Sequence, residues 1–106
     1  MARALVTVPP AVKRGDVFEV RTLIAHPMET GHRNDSEGKR LPRNIIRRFS
    51  CRYDGQTVFE AELHPAISAN PYLVFTTVAT ESGTLSLRWE GDNGFEQTET
   101  VALSVT

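Results

Sequence analysis

Any chemistry in this 106-residue chain has to come from a few side chains: three histidines, one cysteine and some closely spaced carboxylates. His26 and His32 share a polar stretch with Met28 and Glu29, a donor set from which a transition-metal site could be imagined. Their spacing follows no ligand rule, and one Cys with three His cannot supply a Cys-rich tetrahedral zinc site. Loop histidines of this kind are expected in solvent. Ser68 and Ser82 sit in turns with no elbow motif to pair them with a base. Glu60 and Glu62 share one strand face with Arg48 and Arg52 expected opposite, which reads as a salt-bridged surface rather than an acid–base pair. Gly91 and Gly94 belong to a hairpin, not to a phosphate loop. No catalysis, cofactor or metal is expected of the chain.

Cys51 falls mid-strand on the side of Phe49 and Tyr53, the usual place of a small buried hydrophobe. A reactive thiol would need an electropositive, partly exposed setting, and the alternation points Arg48 and Arg52 to the other face. A lone Cys makes no internal disulfide, so its role stays open between core packing and contact with another chain.

The basic run Lys39, Arg40, Arg43, Arg47, Arg48 and Arg52 has Phe49 and Tyr53 interleaved, which invites a nucleic-acid reading. The isoelectric point of about 6.3 lies far below the value above about 9 typical of such domains. An anion- or nucleic-acid-binding module using residues 39–52 therefore stands as the alternative function. The net charge of -1 conceals an asymmetry. Residues 1–52 hold 11 basic and 5 acidic side chains, net +6, whereas residues 53–106 hold 1 and 8, net -7. Either the fold is dipolar and suited to oriented docking, or the two signs interleave in space and cancel.

These residues are positioned by seven segments of strand type. They cover Ala4 to Val8, about Asp16 to Ala25, Ile45 to Tyr53, Gln56 to Leu63, Tyr72 to Ala79, a segment around Leu85, Leu87 and Trp89, and Phe95 to Val105. In the second, Phe18, Val20, Thr22 and Ile24 share one face, but Val17, Leu23 and Ala25 on the other leave the burial choice open. Asp54-Gly55 is a primed hairpin turn, and Gly91 to Gly94 closes a second hairpin. Residues 26–42 form an unusually long polar loop with almost no apolar side chain. Asn70 precedes Pro71 and is expected to be extended.

Seven short strands without a helical period predict a single all-β domain over residues 1–106. It should be an immunoglobulin-like antiparallel sandwich of about seven strands, disulfide-free and of a fibronectin III or E-set-like type. No window approaches the roughly 20 apolar residues of a membrane helix. Residues 1–10 show neither an apolar core nor a cleavage site for export. Taken alone, that start reads as cytoplasmic; it also fits a mature exported chain or one carried across a membrane by a signal-bearing partner.

Three stretches, in order, resemble the SoxZ family of bacterial sulfur oxidation. They are Ile24-Ala-His-Pro-Met-Glu-Thr-Gly-His-Arg33, Leu41-Pro-Arg-Asn-Ile-Ile-Arg-Arg-Phe-Ser-Cys51 and Pro65-Ala-Ile-Ser-Ala-Asn-Pro-Tyr72. The resemblance implies a non-catalytic subunit that binds SoxY, a partner whose C-terminal Gly-Gly-Cys-Gly-Gly arm carries covalent sulfur intermediates, and helps present it to other Sox enzymes. It implies a heterodimer, with room for higher assemblies, working in the periplasm after export with the signal-bearing partner. It does not imply nucleic-acid or membrane binding. This chain ends in Val101-Ala-Leu-Ser-Val-Thr106, without such an arm, so Cys51 is not expected to be the carrier. Partner-interface candidates are then Met28, Glu29, Gly31, His32, Arg33, Arg43 and Asn44 at one end of the sandwich, and Asn70 and Tyr72 in the Asn-Pro-Tyr turn. The bland reading of both is structural: a loop hydrogen-bonding itself, and a turn holding strand register.

Overall fold

Each strand obeys one local rule: apolar and polar residues alternate until a cluster of Gly, Pro, Asp or Asn stops the run. The computed structural model describes residues 3–106, so Met1 and Ala2 of the N-terminal segment lie outside it. Among the described residues the strands are β1 (Ala4–Thr7), β2 (Val17–Ile24), β3 (Ile46–Tyr53), β4 (Gln56–Glu62), β5 (Tyr72–Val78), β6 (Gly83–Gly91) and β7 (Glu96–Leu103). A short 3-10 turn at Asp92–Gly94 joins the last two. The seven expected strands are all present, their ends differing by a residue or two.

The strands form two sheets, ordered β1-β2-β5 and β4-β3-β6-β7, with every neighbouring pair antiparallel. Three strands packed on four is an arrangement that fibronectin-like sandwiches share. From the smaller sheet Phe18, Val20, Ile24 and Phe75 point inward, and they meet Phe49, Leu85, Leu87 and Trp89 of the larger. Phe59 stacks on Phe75 at 4.4 Å across the two sheets, while Phe49 lies 5.2 Å from Trp89. Such aromatic pairs each add about 0.5–1.5 kcal/mol beyond the area they bury.

Two register irregularities in β3 depart from the simple alternation. The first falls between Ile46 and Arg48, so consecutive Ile45 and Ile46 are both buried while Arg47 and Arg48 both face out. The second, between Cys51 and Arg52, sets Arg52 opposite Thr57 instead of near Glu60 or Glu62. Only half of the expected cross-strand charge ladder therefore forms: Arg48 reaches Glu60 at 2.6 Å. A β-bulge inserts one residue and resets every pairing beyond it, which an alternation count cannot register.

Residues 26–42 are not an open loop. Bridges Glu29↔Asn44 and Asn34↔Arg40, with Leu41 N–H donating to the Arg33 carbonyl at 2.8 Å, fold them into a two-limbed finger. Asp35 Oδ1 closes the tip by accepting from the backbone N–H of Glu37 and Lys39 at 2.8 and 3.0 Å. The molecule measures 58 × 20 × 19 Å. Strands of eight or nine residues span only about 30 Å, so the finger and end loops supply the rest.

Candidate partner-docking surfaces

The end of the sandwich that bears the finger is organised around two buried side chains. His26 is only 5% exposed, and its Nδ1 accepts the Met28 N–H at 3.0 Å. Its own N–H donates to Asn70 Oδ1 at 3.0 Å, and its carbonyl accepts from Asn70 N–H at 2.8 Å. The Phe95 ring packs against the imidazole, edge to face at 4.8 Å. Finger, Asn-Pro-Tyr turn and β6–β7 turn thus converge on one residue, the Asn-Pro-Tyr turn through the His26 backbone and the other two through its imidazole. Burial lowers the pKa of that imidazole against a smaller opposing pull from Asp92. The expectation of a solvated loop histidine fails for His26 because three chain segments close over it.

Met28, expected on the docking surface, is buried at φ 48°, and its Sδ accepts the Ile46 N–H at 3.2 Å. It secures the finger base from inside and presents nothing outward. Asn70 is also different from expectation: its φ of 55° places it in the left-handed region rather than extended. Asn tolerates that conformation, and the two hydrogen bonds to His26, far away in sequence, select it.

The other candidates at this end do come together. Glu29 and Asn44 pair backbone to backbone through two 2.8 Å hydrogen bonds. Arg33 grips Glu29 at 2.6 Å, and that guanidinium holds the Glu29 carboxyl below its ordinary range. Gly31, at φ 87°, lies so near Arg43 that an added Cβ would stand 3.1 Å from the Arg43 Cβ. His32 is exposed, with its N–H donating to Thr30 Oγ1. Arg43 reaches across to Asp92, donating from Nε and Nη2 at 2.8 and 2.9 Å.

Asp92 is the residue that sequence reasoning missed. Besides Arg43 it accepts from the Ile45 N–H at 3.1 Å, and Arg47 stands 3.2 Å away. The Arg43 hydrogen bonds, ahead of the other contributions, draw its pKa down. In sequence it is one letter of a turn motif, and nothing in a lone chain links it to residues 49 positions earlier.

These pairings also answer the charge question. Arg43 and Arg47 bind Asp92, and Arg48 binds Glu60, so cations of the first half meet anions of the second. At these three positions the signs interleave. The 39–52 run is no continuous strip: Lys39 and Arg40 sit on the finger, Arg43 and Arg47 clamp its base, and Arg48 and Arg52 lie on the larger sheet. Phe49 and Tyr53 point into the core, away from the cations.

Tyr72 belongs to a different surface. It is 58% exposed on the outer face of the smaller sheet, in a row with Leu23 and Leu5, which is also 58% exposed. Val74 follows it along β5, and at the far end Val17, 66% exposed, stands beside Val78. Arg21 and Glu19 pair with each other in the middle of this face. The open burial choice noted for β2 was the sequence signal of this surface, because both faces of that strand carry apolar residues. The larger sheet is the opposite. Its outer face holds a groove of about 290 Å³ lined by Arg48, Ser50, Arg52, Ser86, Arg88 and Thr98, among others. Exposed apolar clusters such as the two at the ends of the smaller sheet's outer face are the usual mark of an interaction site.

Cys51 is fully buried, between Phe59 on β4 and Leu87 on β6, and burial pushes its thiol up to about 11. The thiolate that any sulfur chemistry needs is therefore suppressed. Among the described residues no three His, Cys, Asp or Glu side chains cluster to hold a metal ion.

Residues 6–102 match the family of sulphur oxidation protein SoxZ. The chain belongs to the SoxZ family. It is accordingly a subunit of the sulfur-oxidation system, as its three ordered motifs implied. No curated protein matches it. Among solved structures, the sulfur carrier protein SoxY from Chlorobium limicola f thiosulfatophilum aligns with a TM-score of 0.67 at 12% identity, over 97% of this chain and 78% of that one. A superoxide reductase (neelaredoxin) from Ignicoccus hospitalis aligns at 0.71 with 18% identity, over 97% and 80%. The CARDB domain of a Pyrococcus furiosus protein aligns at 0.52 with 13% identity, over 100% and 94%. At such identities these likenesses concern the immunoglobulin-like sandwich alone.

Proposed function

We propose that this SoxZ-family chain is a non-catalytic subunit that binds and stabilises a SoxY-like sulfur carrier. In this reading the partner's C-terminal cysteine arm bears the covalent sulfur, and this chain helps present that arm to other Sox enzymes. The observation that carries the proposal is the exposed apolar face of β1, β2 and β5, centred on Leu23 and Tyr72, in a chain whose own thiol is sealed in the core. Docking a partner there removes apolar surface from water at about 25 cal/mol per Å². The polar finger base around Glu29, His32, Arg33 and Arg43, with its exposed ion pairs, suits the briefer contacts with enzymes.

Co-expression with a SoxY-like protein should give a co-purifying heterodimer. Leu23→Glu should weaken it at least tenfold in titration calorimetry while the finger substitution Arg33→Ala leaves it unchanged. Two folded proteins that fail to associate would overturn the proposal. The site of action is proposed to be the periplasm, reached with the partner, on the strength of the family resemblance. Cell fractionation with and without the signal sequence of the partner tests it: the chain should move to the cytoplasm when that signal is deleted.

A further inference from the structure

The outer face of the smaller sheet is arranged to match itself. Along β2 its outward residues read Val17, Glu19, Arg21, Leu23: apolar, negative, positive, apolar. Along β5 the residues beside them read Val78, Thr76, Val74, Tyr72, with apolar side chains again at both ends. A half-turn about an axis lying in the face and crossing the strands at the level of Val20 carries this pattern onto its complement. Val17 of one copy then meets Leu23 of the other, Val78 meets Tyr72, and each Glu19 meets an Arg21. A half-turn about an axis along the strands would instead set Glu19 on Glu19 and Arg21 on Arg21. Only the first has matched charges, and self-complementarity is what a two-fold isologous contact requires.

We infer that, when no SoxY-like partner is present, this face takes a second copy of the same chain, sheet on sheet with the two β2 strands antiparallel. The inference rests on the reading of this face as the docking surface and adds a second occupant that the partner must displace. Strands about 4.8 Å apart, two of them about 25 Å long and the four-residue β1 about 13 Å, offer roughly 300 Å² of flat sheet. Stable complexes bury about 800 Å² per partner, so the homodimer is weak and reversible and yields to a larger interface.

Charge reversal tests the geometry. Sedimentation equilibrium of the isolated chain, run from micromolar to millimolar concentration, should show a monomer–dimer equilibrium. Glu19→Arg alone and Arg21→Glu alone should each weaken it by roughly tenfold or more, because like charges then face each other. An equimolar mixture of the two variants should restore dimerisation, since each reversed side chain meets its complement. That rescue also shows that both variants are folded. A chain that stays monomeric throughout, or a dimer indifferent to both reversals, overturns the inference. Binding of the SoxY-like partner is measured separately on the same proteins. Partner binding that survives in a strictly monomeric chain sinks the self-association alone, whereas self-association without any partner binding sinks the functional reading alone.

Discussion

A thiol held between two sheets is a poor nucleophile because its thiolate has no water and no nearby cation to stabilise it. Cys51 should therefore resist iodoacetamide and aromatic disulfide reagents at pH 8 in the folded chain and react fully in denaturant; mass spectrometry of the two samples distinguishes them. Its raised pKa also ties stability to pH. The contribution is full below the unfolded value of 9.0 and is lost as pH rises through about 11. His26 works in the opposite sense. Its folded pKa is lowered, so the stability it lends is full above the unfolded value of 6.5 and is lost as pH falls through the lower folded value. Protonation would also abolish the acceptor that holds the Met28 N–H. Melting temperature should fall between pH 7.5 and pH 5, and the part of that slope due to His26 should vanish in His26→Gln.

At the scale of elements, the finger stands or falls with its base. Its two limbs meet at the Glu29–Asn44 bridge, Met28 fastens one limb to β3, and Asp92 fastens the other through Arg43 and the Ile45 N–H. Hydrogen bonds to a charged group contribute about 1.5–3 kcal/mol when shielded and less where, as here, the arginine partner is half exposed to water. Asp92→Asn keeps the shape and weakens them, so urea denaturation should register a loss of about 1–2 kcal/mol. Hydrogen exchange at the amides of Glu29 and Asn44 should quicken in the same variant, and the amides of β3 and β6 should change less. The strands themselves were legible because alternation reports burial directly. The finger was not, since its order comes from backbone bridges, a buried Met and a carboxylate 49 residues away from the arginine it binds.

For the whole molecule, the decisive property is that its two broad faces differ. One sheet turns Leu5, Leu23, Tyr72, Val74, Val17 and Val78 outward, and the other a lattice of arginines, glutamates and hydroxyls. Arg43, Arg47 and Arg48 of the basic run are each paired with a carboxylate of the second half, and the rest of the run is split between the finger and the larger sheet. Retention on a polyanion column at about 0.15 M salt should consequently be slight, where a continuous basic strip would bind and elute only at high salt. Strong retention at that ionic strength would return the 39–52 segment to consideration as a binding strip.

What the residues settled unaided was the secondary structure, the sandwich and the family, because strand alternation, turn chemistry and three ordered motifs are all properties of neighbouring positions. They also placed Cys51 on the core side. Tertiary structure alone decided which of the marked residues share a surface. It sent Met28 and His26 inward, twisted Asn70 into the left-handed region, slid Arg52 past its expected partners and joined Arg43 to Asp92. It also resolved the double-sided β2 into one buried face and one exposed apolar face. The reason is the same in each case: packing and charge pairing link residues that are distant along the chain, and the sum over those contacts is not written in any local window.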